Sequence, residues 1–420
     1  MLKDFFGEYD LKSEFSAGVT VFLAMLYIVP LNALILSQAG MPYEALITAT
    51  ALITILATAT NAIYANTPIA LSAGMGLNAY FTFGLVKGLG MSWQSALGVV
   101  FVSGLLFILL SLTPFKRIAL ESIPVDIRRA ISAGIGAFLA FIALKQMGIV
   151  VADNVTFVTL GELSKPEVLL GVGTTLLLMI LYTIKVPAAF VIAITVGALT
   201  AWFTGLSQLP ETFFSMPASI APIAFELDFS AFSTLAVIPV VIAFLVTDIF
   251  DSVGTLNGVG GRIFKNEKKL EKTLQVDAFF SSIGALLGLS TVTSFVESAA
   301  GIEQGAKTGL STFITALLFI LPLFMLPLFA SIHPNAIYPV LIVVGILMFN
   351  DVAKIDFSDF AVASSSFITI MMIPFSSSIA TGLALGMISF VLIKIIERDF
   401  KSLNLELIIL TLFSSLILFT

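Results

Sequence analysis

The sequence predicts an all-α polytopic membrane protein that crosses the bilayer about fourteen times, folded as two inverted repeats of about seven segments each. Three observations predict it. Of 420 residues, 58% are hydrophobic and 11% charged, whereas a soluble domain carries about a quarter charged and 45–50% apolar residues. That much apolar surface, 38 phenylalanines included, requires lipid as its solvent. The apolar residues also fall in runs long enough to span, punctuated by Gly, Pro and charge. Lys and Arg, finally, concentrate on alternate loops.

Taken in order, residues 1–14 carry mixed charge without a basic n-region or a small-residue cleavage site, and read as a short cytoplasmic amphipathic entry rather than a signal peptide. Spans follow near 16–37, 44–64, 93–113, 125–145, 167–184, 186–204, 234–258, 272–289, 308–330, 335–350, 357–373 and 375–396. Two further stretches, 68–84 (PIALSAGMGLNAYFTFG) and 290–305 (STVTSFVESAAGIEQG), are too short and polar for ordinary spans, yet lie where a crossing is needed. With the amino terminus inside, every one of the 20 Lys and Arg except Lys87, Lys145 and Lys165 falls on a cytoplasmic loop. Residues 205–233 hold neither Lys nor Arg and read as an external connection, 259–272 as the main cytoplasmic loop, and 403–420 as an interfacial helix in preference to a further crossing. Both termini are expected in the cytoplasm.

The two short polar stretches occupy corresponding places. Asn78 stands 219 residues before Glu297, and Pro30 stands 221 before Asp251. A near-constant offset marks two halves, and because each holds an odd number of spans the second is inverted. Paired, Gly-interrupted segments of this kind point to a binding site near the midplane.

Composition also excludes. Net charge is −6 and no basic patch suggests nucleic acid. Absence of cysteine removes disulfide, thiolate and Cys–metal chemistry, and the single histidine, His333 in SIHPN, reads as an interfacial loop residue without partners for a metal. GIEQGAKTG (301–309) lacks the spacing of a phosphate loop, and no catalytic triad is visible. The chain is therefore not expected to be an enzyme or to hold a cofactor.

Ionisable groups inside a span cost about 2.5–3.5 kcal/mol or more unless they pair or face a cavity, which makes each a functional candidate. Asp248 and Asp251 lie in the eighth segment within FLVTDIFDSVGTLNG, three residues apart and so on one helix face, and Glu297 lies in the tenth. Carboxylates of this kind also serve to hold helices together, a reading that suits one of the three better than all. Gly74 and Gly76 precede Asn78 in the third segment, where close helix packing is the plain alternative to a broken crossing. A carboxylate accepts two hydrogen bonds side by side, and an amide both donates and accepts, so Glu297, Asp251 and Asn78 together suit the edge of a planar heterocycle. Tyr80, Phe81, Phe250 and Phe295 are candidates for a stacking face, or else ordinary packing.

GMGLNAYF (74–81), FDSVGTLNG (250–258) and STVTSFVESAAGIEQGAKTGLS (290–311) resemble the signatures of the AzgA-like adenine/guanine/hypoxanthine permeases, within the nucleobase–cation symporter (nucleobase–ascorbate transporter) superfamily, and the resemblance runs over essentially the whole chain. It implies a core domain of segments 1–4 and 8–11 (residues 1–113 and 234–330), a gate domain of segments 5–7 and 12–14 (114–233 and 331–400), and an apolar tail at 401–420. It further implies a short strand opening segments 3 and 10, and elevator-type movement of core against gate. By position it assigns substrate binding to Asn78, Asp251 and Glu297, with Thr255, Phe81 and Phe250 beside them. Asp248, Asp251 and Glu297 are the candidates for proton coupling or for structure. The uracil branch carries a histidine where this chain has Thr255, a departure that fits a purine carrier and counts against a histidine-linked proton step. The implied protein is a proton-coupled importer of purine nucleobases, with hypoxanthine and guanine favoured and adenine possible, in the cell membrane among lipid and often a homodimer. A sulfate- or bicarbonate-type anion carrier of similar architecture and a uracil or xanthine carrier are the rivals; three carboxylates suit an anion poorly.

Overall fold

Helix lengths follow directly from the runs of apolar residues. The computed structural model describes residues 6–7, 9–113, 123–234, 237–260, 267–415 and 418; the expected positions of Lys3, Lys116, Arg117, Arg262 and Lys265, and parts of the 1–14, 259–272 and 403–420 segments, lie outside them. The first half runs α1 (Leu11–Met25), α2 (Ile28–Ser37), α3 (Tyr43–Tyr64), β1 (Leu71–Ala73), α4 (Met75–Ala79, continued as a π-helix over Tyr80–Val86), α5 (Trp93–Leu112), α6 (Val125–Gln146), β2 (Val150–Asp153), β3 (Phe157–Leu160), α7 (Pro166–Thr183) and α8 (Ala189–Phe203). The second half runs α9 (Val237–Gly260), α10 (Glu267–Leu286), β4 (Val292–Ser294), α11 (Ser298–Glu303), α12 (Gly309–Leu318), α13 (Leu326–Ser331), α14 (Pro334–Ile337), α15 (Pro339–Phe349), α16 (Phe360–Ser376) and α17 (Ile379–Ile396), before α18 (Leu405–Ser415).

α3 shows why these residues make a span. It has 22 residues with no Gly or Pro inside, and at about 1.5 Å per residue it matches a hydrocarbon core about 30 Å thick. Thr50 and Thr54 satisfy their hydroxyls on carbonyls four residues back, at 2.7 Å each, so these polar side chains sit in an apolar helix with their donors paired. Among the described residues eight helices are long and apolar enough to cross a membrane, and Met75–Val86, Ala189–Phe203, Gly309–Phe324 and Phe360–Ser376 are shorter apolar helices.

Three spans read as continuous are broken, 335–350 among them, where α14 and α15 meet at Tyr338 and Pro339. The first is interrupted at Leu26–Tyr27. The stretch 308–330 divides into α12, a 3-10 turn over Leu321–Phe324, and α13, because Pro322 and Pro327 each remove a backbone donor. One element escaped the sequence reading: an antiparallel hairpin of β2 and β3, pairing Val150 with Leu160, stands in the connection 146–165. The tail forms the 11-residue α18, about 16 Å long at 1.5 Å per residue and too short to cross.

The helices pack as two bundles. In one, α1 to α5 pack with α9 to α12; in the other, α6, α7 and α8 pack with α14 to α17. At the centre of the first bundle β1 pairs antiparallel with β4, with Leu71, Ser72 and Ala73 opposite Ser294, Thr293 and Val292. The strands open at Leu71 and Val292, an offset of 221 residues, so the register of the internal repeat is visible in the ladder itself. In the second bundle α6 crosses α15 through glycines. A Cβ at Gly136 would lie 2.4 Å from the Gly345 carbonyl oxygen, and one at Gly345 would lie 2.5 Å from that of Gly136.

Candidate functional site

Both short strands pair one aliphatic residue, Leu71 or Val292, with small or hydroxyl ones, and each gives way to a helix within a few positions, leaving a discontinuity in the middle of the first bundle. The backbone freed by the break is satisfied locally. The Gly74 N–H donates to Thr291 O at 2.9 Å and the Phe295 N–H to Ala70 O at 2.9 Å, as irregular backbone at membrane depth demands. A Cβ on Gly74 would stand 3.1 Å from the Thr291 hydroxyl, so a side chain there would have to push the threonine aside by a few tenths of an ångström.

Asn78 and Glu297 emerge from opposite ends of this ladder: Asn78 follows Ala73 on α4, and Glu297 follows Ser294 and leads into α11. Asn78 is fully buried; its Nδ2 donates to Asn32 Oδ1, whose own Nδ2 donates to Thr50 Oγ1 at 2.8 Å. Among the described residues Asn78 Oδ1 has no hydrogen-bonding partner. Glu297 is partly exposed and its neighbour Val296 is 47% exposed, so this end of the ladder is open. The Tyr27 hydroxyl donates to Glu297 Oε1 at 2.5 Å. Tyr27 sits at the break between α1 and α2, and its ring packs at 4.8 Å against Phe190 of α8, which in turn meets Tyr182 of α7 at 6.2 Å. Glu297 is thus linked through the Tyr27 ring to the aromatic pair Phe190 and Tyr182 of the second bundle.

A carboxylate cluster lies behind the strands. On α9, Asp248 is fully buried and accepts from Ser281 Oγ at 2.9 Å through Oδ2, while its Oδ1 is without a partner among the described residues. Asp251, one turn on, meets the Thr293 hydroxyl of β4. Close to both is Asp277 of α10, which accepts from Ser252 Oγ at 2.8 Å and from the Ser294 N–H and Oγ at 2.8 and 2.9 Å. Thr255 stands one turn beyond Asp251 and is 9% exposed. The structure therefore brings Asp248 and Asp251 together with Asp277, and sets Glu297 and Asn78 at the two ends of the ladder that Asp277 anchors.

The expected aromatic neighbours are engaged elsewhere. Phe81 is fully buried, and the guanidinium of Arg128 lies 5.6 Å from the Phe250 ring centre. Tyr80 stacks on Phe244 at 5.0 Å, and Phe295 is 4% exposed. His333 caps α14, its Nδ1 accepting from the Asn335 N–H at 3.2 Å. Sequence reasoning missed Asp277 and Tyr27. Asp277 carries the same signal as its neighbours, a carboxylate within the apolar run LQVDAFFSSIGALL; Tyr27 carries none, since one tyrosine in an apolar helix is unremarked until its partner is known. No group of three His, Cys, Asp or Glu able to hold a metal occurs among the described residues.

A discontinuous pair of crossings, bearing one amide and several carboxylates inside an inverted repeat, is the arrangement of a substrate carrier. Comparison with known sequences decides which. The profile of the Permease family (Xan_ur_permease) matches residues 12–385. This chain belongs to that family. Within it, the guanine/hypoxanthine permease PbuO of Bacillus subtilis (strain 168) is 37% identical over 406 residues, covering 94% of each chain. The adenine permease AdeQ of Escherichia coli (strain K12) is 36% identical over 403 residues, covering 95% of this chain and 90% of that one. These relatives place the chain in the nucleobase–ascorbate transporter family and mark it as a multi-pass membrane permease. Among solved structures, the transmembrane domain of the cyanobacterial bicarbonate transporter BicA superposes with a TM-score of 0.67 at 16% identity, covering 90% of this chain and 97% of that one. That likeness establishes a shared fold.

Proposed function

We propose that this permease imports purine nucleobases across the cell membrane by proton symport, with guanine and hypoxanthine preferred, while the bundle of α1 to α5 and α9 to α12 moves as an elevator against the other. The observation that carries the reading is sequence similarity of 37% over nearly the full length to a guanine/hypoxanthine permease, together with an acceptor, Glu297, at the open end of a broken crossing. One carboxylate receives the adjacent N–H and amino donors of guanine together. Asn78 supplies a donor and an acceptor at the other end of the ladder, and Asp251 and Thr255 lie on α9 beside the strands. The aromatic wall of Tyr27, Phe190 and Tyr182 lies where core meets gate, so a base held there is handled by both bundles. Asp248, which keeps one oxygen unpartnered, is assigned to proton coupling rather than to the base. Fourteen crossings, cytoplasmic termini and a homodimer belong to the same reading. The shared fold with a bicarbonate transporter does not extend to cargo, because an anion site calls for positive charge or helix amino termini rather than carboxylates.

The test is a calorimetric titration of the purified protein with guanine, hypoxanthine, adenine, uracil and sulfate, repeated on Glu297→Gln. Binding of 6-oxopurines that weakens at least ~10-fold in the variant is expected, the size of a lost hydrogen bond to a charged group. Binding of sulfate alone, or purine affinity indifferent to the substitution, contradicts the assignment.

A further inference from the structure

Resting on that reading, we propose that Tyr27 is a positioning and specificity residue, whose hydroxyl fixes Glu297 and turns the pair into a two-acceptor face that selects bases with adjacent donors. The first span is interrupted at Leu26–Tyr27, where Pro30 offers the Leu26 carbonyl no N–H; both residues keep helical dihedrals, and Tyr27 is 1% exposed. From there its hydroxyl reaches across 270 residues of sequence to Glu297 Oε1 at 2.5 Å. A tyrosine hydroxyl has one proton and two lone pairs. With the proton committed to Glu297, the Tyr27 oxygen faces a ligand as an acceptor, beside the carboxylate's remaining lone pairs. Two acceptors side by side match the N1–H and 2-amino donors of guanine. Adenine presents a ring nitrogen acceptor next to its amino group, and that nitrogen would meet a lone pair. Hypoxanthine, with one donor on that edge, falls between.

The ring has a second task. It lies 4.8 Å from Phe190 at 37°, so the hydroxyl is aimed by an aromatic contact with the opposite bundle. The orientation of Glu297 therefore depends on where core and gate stand relative to one another. A move of Phe190 away from Tyr27 frees the phenol to turn, and the acceptor pair is assembled only while the two bundles meet there.

The experiment measures uptake of guanine, hypoxanthine and adenine in proteoliposomes by the full-length wild type, Tyr27→Phe, and Phe190→Leu, with monodispersity and thermal midpoint recorded for each. Tyr27→Phe keeps the ring and removes the hydroxyl. It is expected to raise the guanine KM about 10-fold, with maximal rate changed less than about 2-fold, and to bring guanine and adenine KM values closer together. Phe190→Leu keeps the hydroxyl but not its support, and is expected to raise KM for all three bases without altering their order. Unchanged KM values and an unchanged guanine-to-adenine ratio in a well-folded Tyr27→Phe protein overturn the proposal. So does an equal loss of maximal rate for every base, the mark of a merely structural residue. Failure of the wild type to take up any purine would instead strike the functional reading on which the proposal stands.

Discussion

Asp277 shows how much one buried side chain organises. Its two oxygens take three hydrogen bonds, from Ser252 Oγ and from the N–H and hydroxyl of Ser294, so it ties the last residue of β4 to α9 and α10. Asp248 takes one, from Ser281. Hydrogen bonds to a charged group contribute about 1.5–3 kcal/mol each, and removing a partner leaves the others unsatisfied. Asp277→Ala is therefore expected to lower the thermal midpoint in detergent more than Asp248→Ala does; the reverse order would mean that the ladder is held by the ends of its helices instead. The legibility of these residues from sequence follows the same physics. An ionisable group inside an apolar run announces itself, and so Asp248, Asp251 and Glu297 stood out. Asp277 went unread only because five charged residues, Glu267 to Lys272, lead its helix and make it look peripheral. Glu14 is a parallel case. It falls in the amphipathic entry segment 1–14, yet it is 1% exposed and accepts from the backbone N–H groups of Lys307, Thr308 and Ser311 at 3.0–3.1 Å, capping α12 from another helix.

At the scale of elements, spans built from one unbroken apolar run were readable, as α3, α5 and α6 are, because length and hydropathy suffice. The breaks were readable only where sequence carried the cause. Gly74 and Gly76 announced the third segment, and the interruption at Leu26–Tyr27 has its cause four residues on, where Pro30 has no N–H to give the Leu26 carbonyl. The hairpin of β2 and β3 lies in a loop, where span counting has nothing to say. Helix crossing is likewise invisible to periodicity, although its residues are plain once seen. Gly136 on α6 and Gly345 on α15 place each Cα against the other's carbonyl, within the close approach that only glycine allows. Gly136→Ala puts a methyl 2.4 Å from a backbone oxygen that has no rotamer to escape with. It is expected to destabilise by about 1–3 kcal/mol, the usual toll of overpacking, read as a lower thermal midpoint. A midpoint unmoved by the substitution would show that the two helices separate without cost. At the far end of the same bundle, the Lys394 ammonium meets Asp359 at 2.8 Å, Glu397 at 3.0 Å and Asp399 at 3.4 Å, and its hydrogen bond holds the Asp359 carboxyl below the usual carboxylate range.

For the whole molecule, the sequence offset and the strand register describe one repeat. The pairing of Leu71 to Ala73 with Ser294 to Val292 joins the two halves at their centre, and everything assigned to the substrate lies on or beside that joint. The Glu297 side, proposed for the substrate, faces the second bundle through Tyr27 and Phe190, while the Asp248 and Asp277 side is buried among α9 and α10. A base bound on one side and a proton carried on the other would move together if the bundle travels as a unit. α18 lies against both α9 and α17, and in the proposed elevator movement it would have to slide or release. The most direct measurement is uptake of labelled hypoxanthine by proteoliposomes with and without an inward proton gradient, for the wild type and Asp248→Asn, each checked for hypoxanthine binding. Proton symport predicts concentrative uptake by the wild type under the gradient, and a variant that still binds the base but no longer responds to the gradient. Uptake by the wild type that is indifferent to the gradient, or a variant driven as well as the wild type, would contradict coupling through this carboxylate cluster.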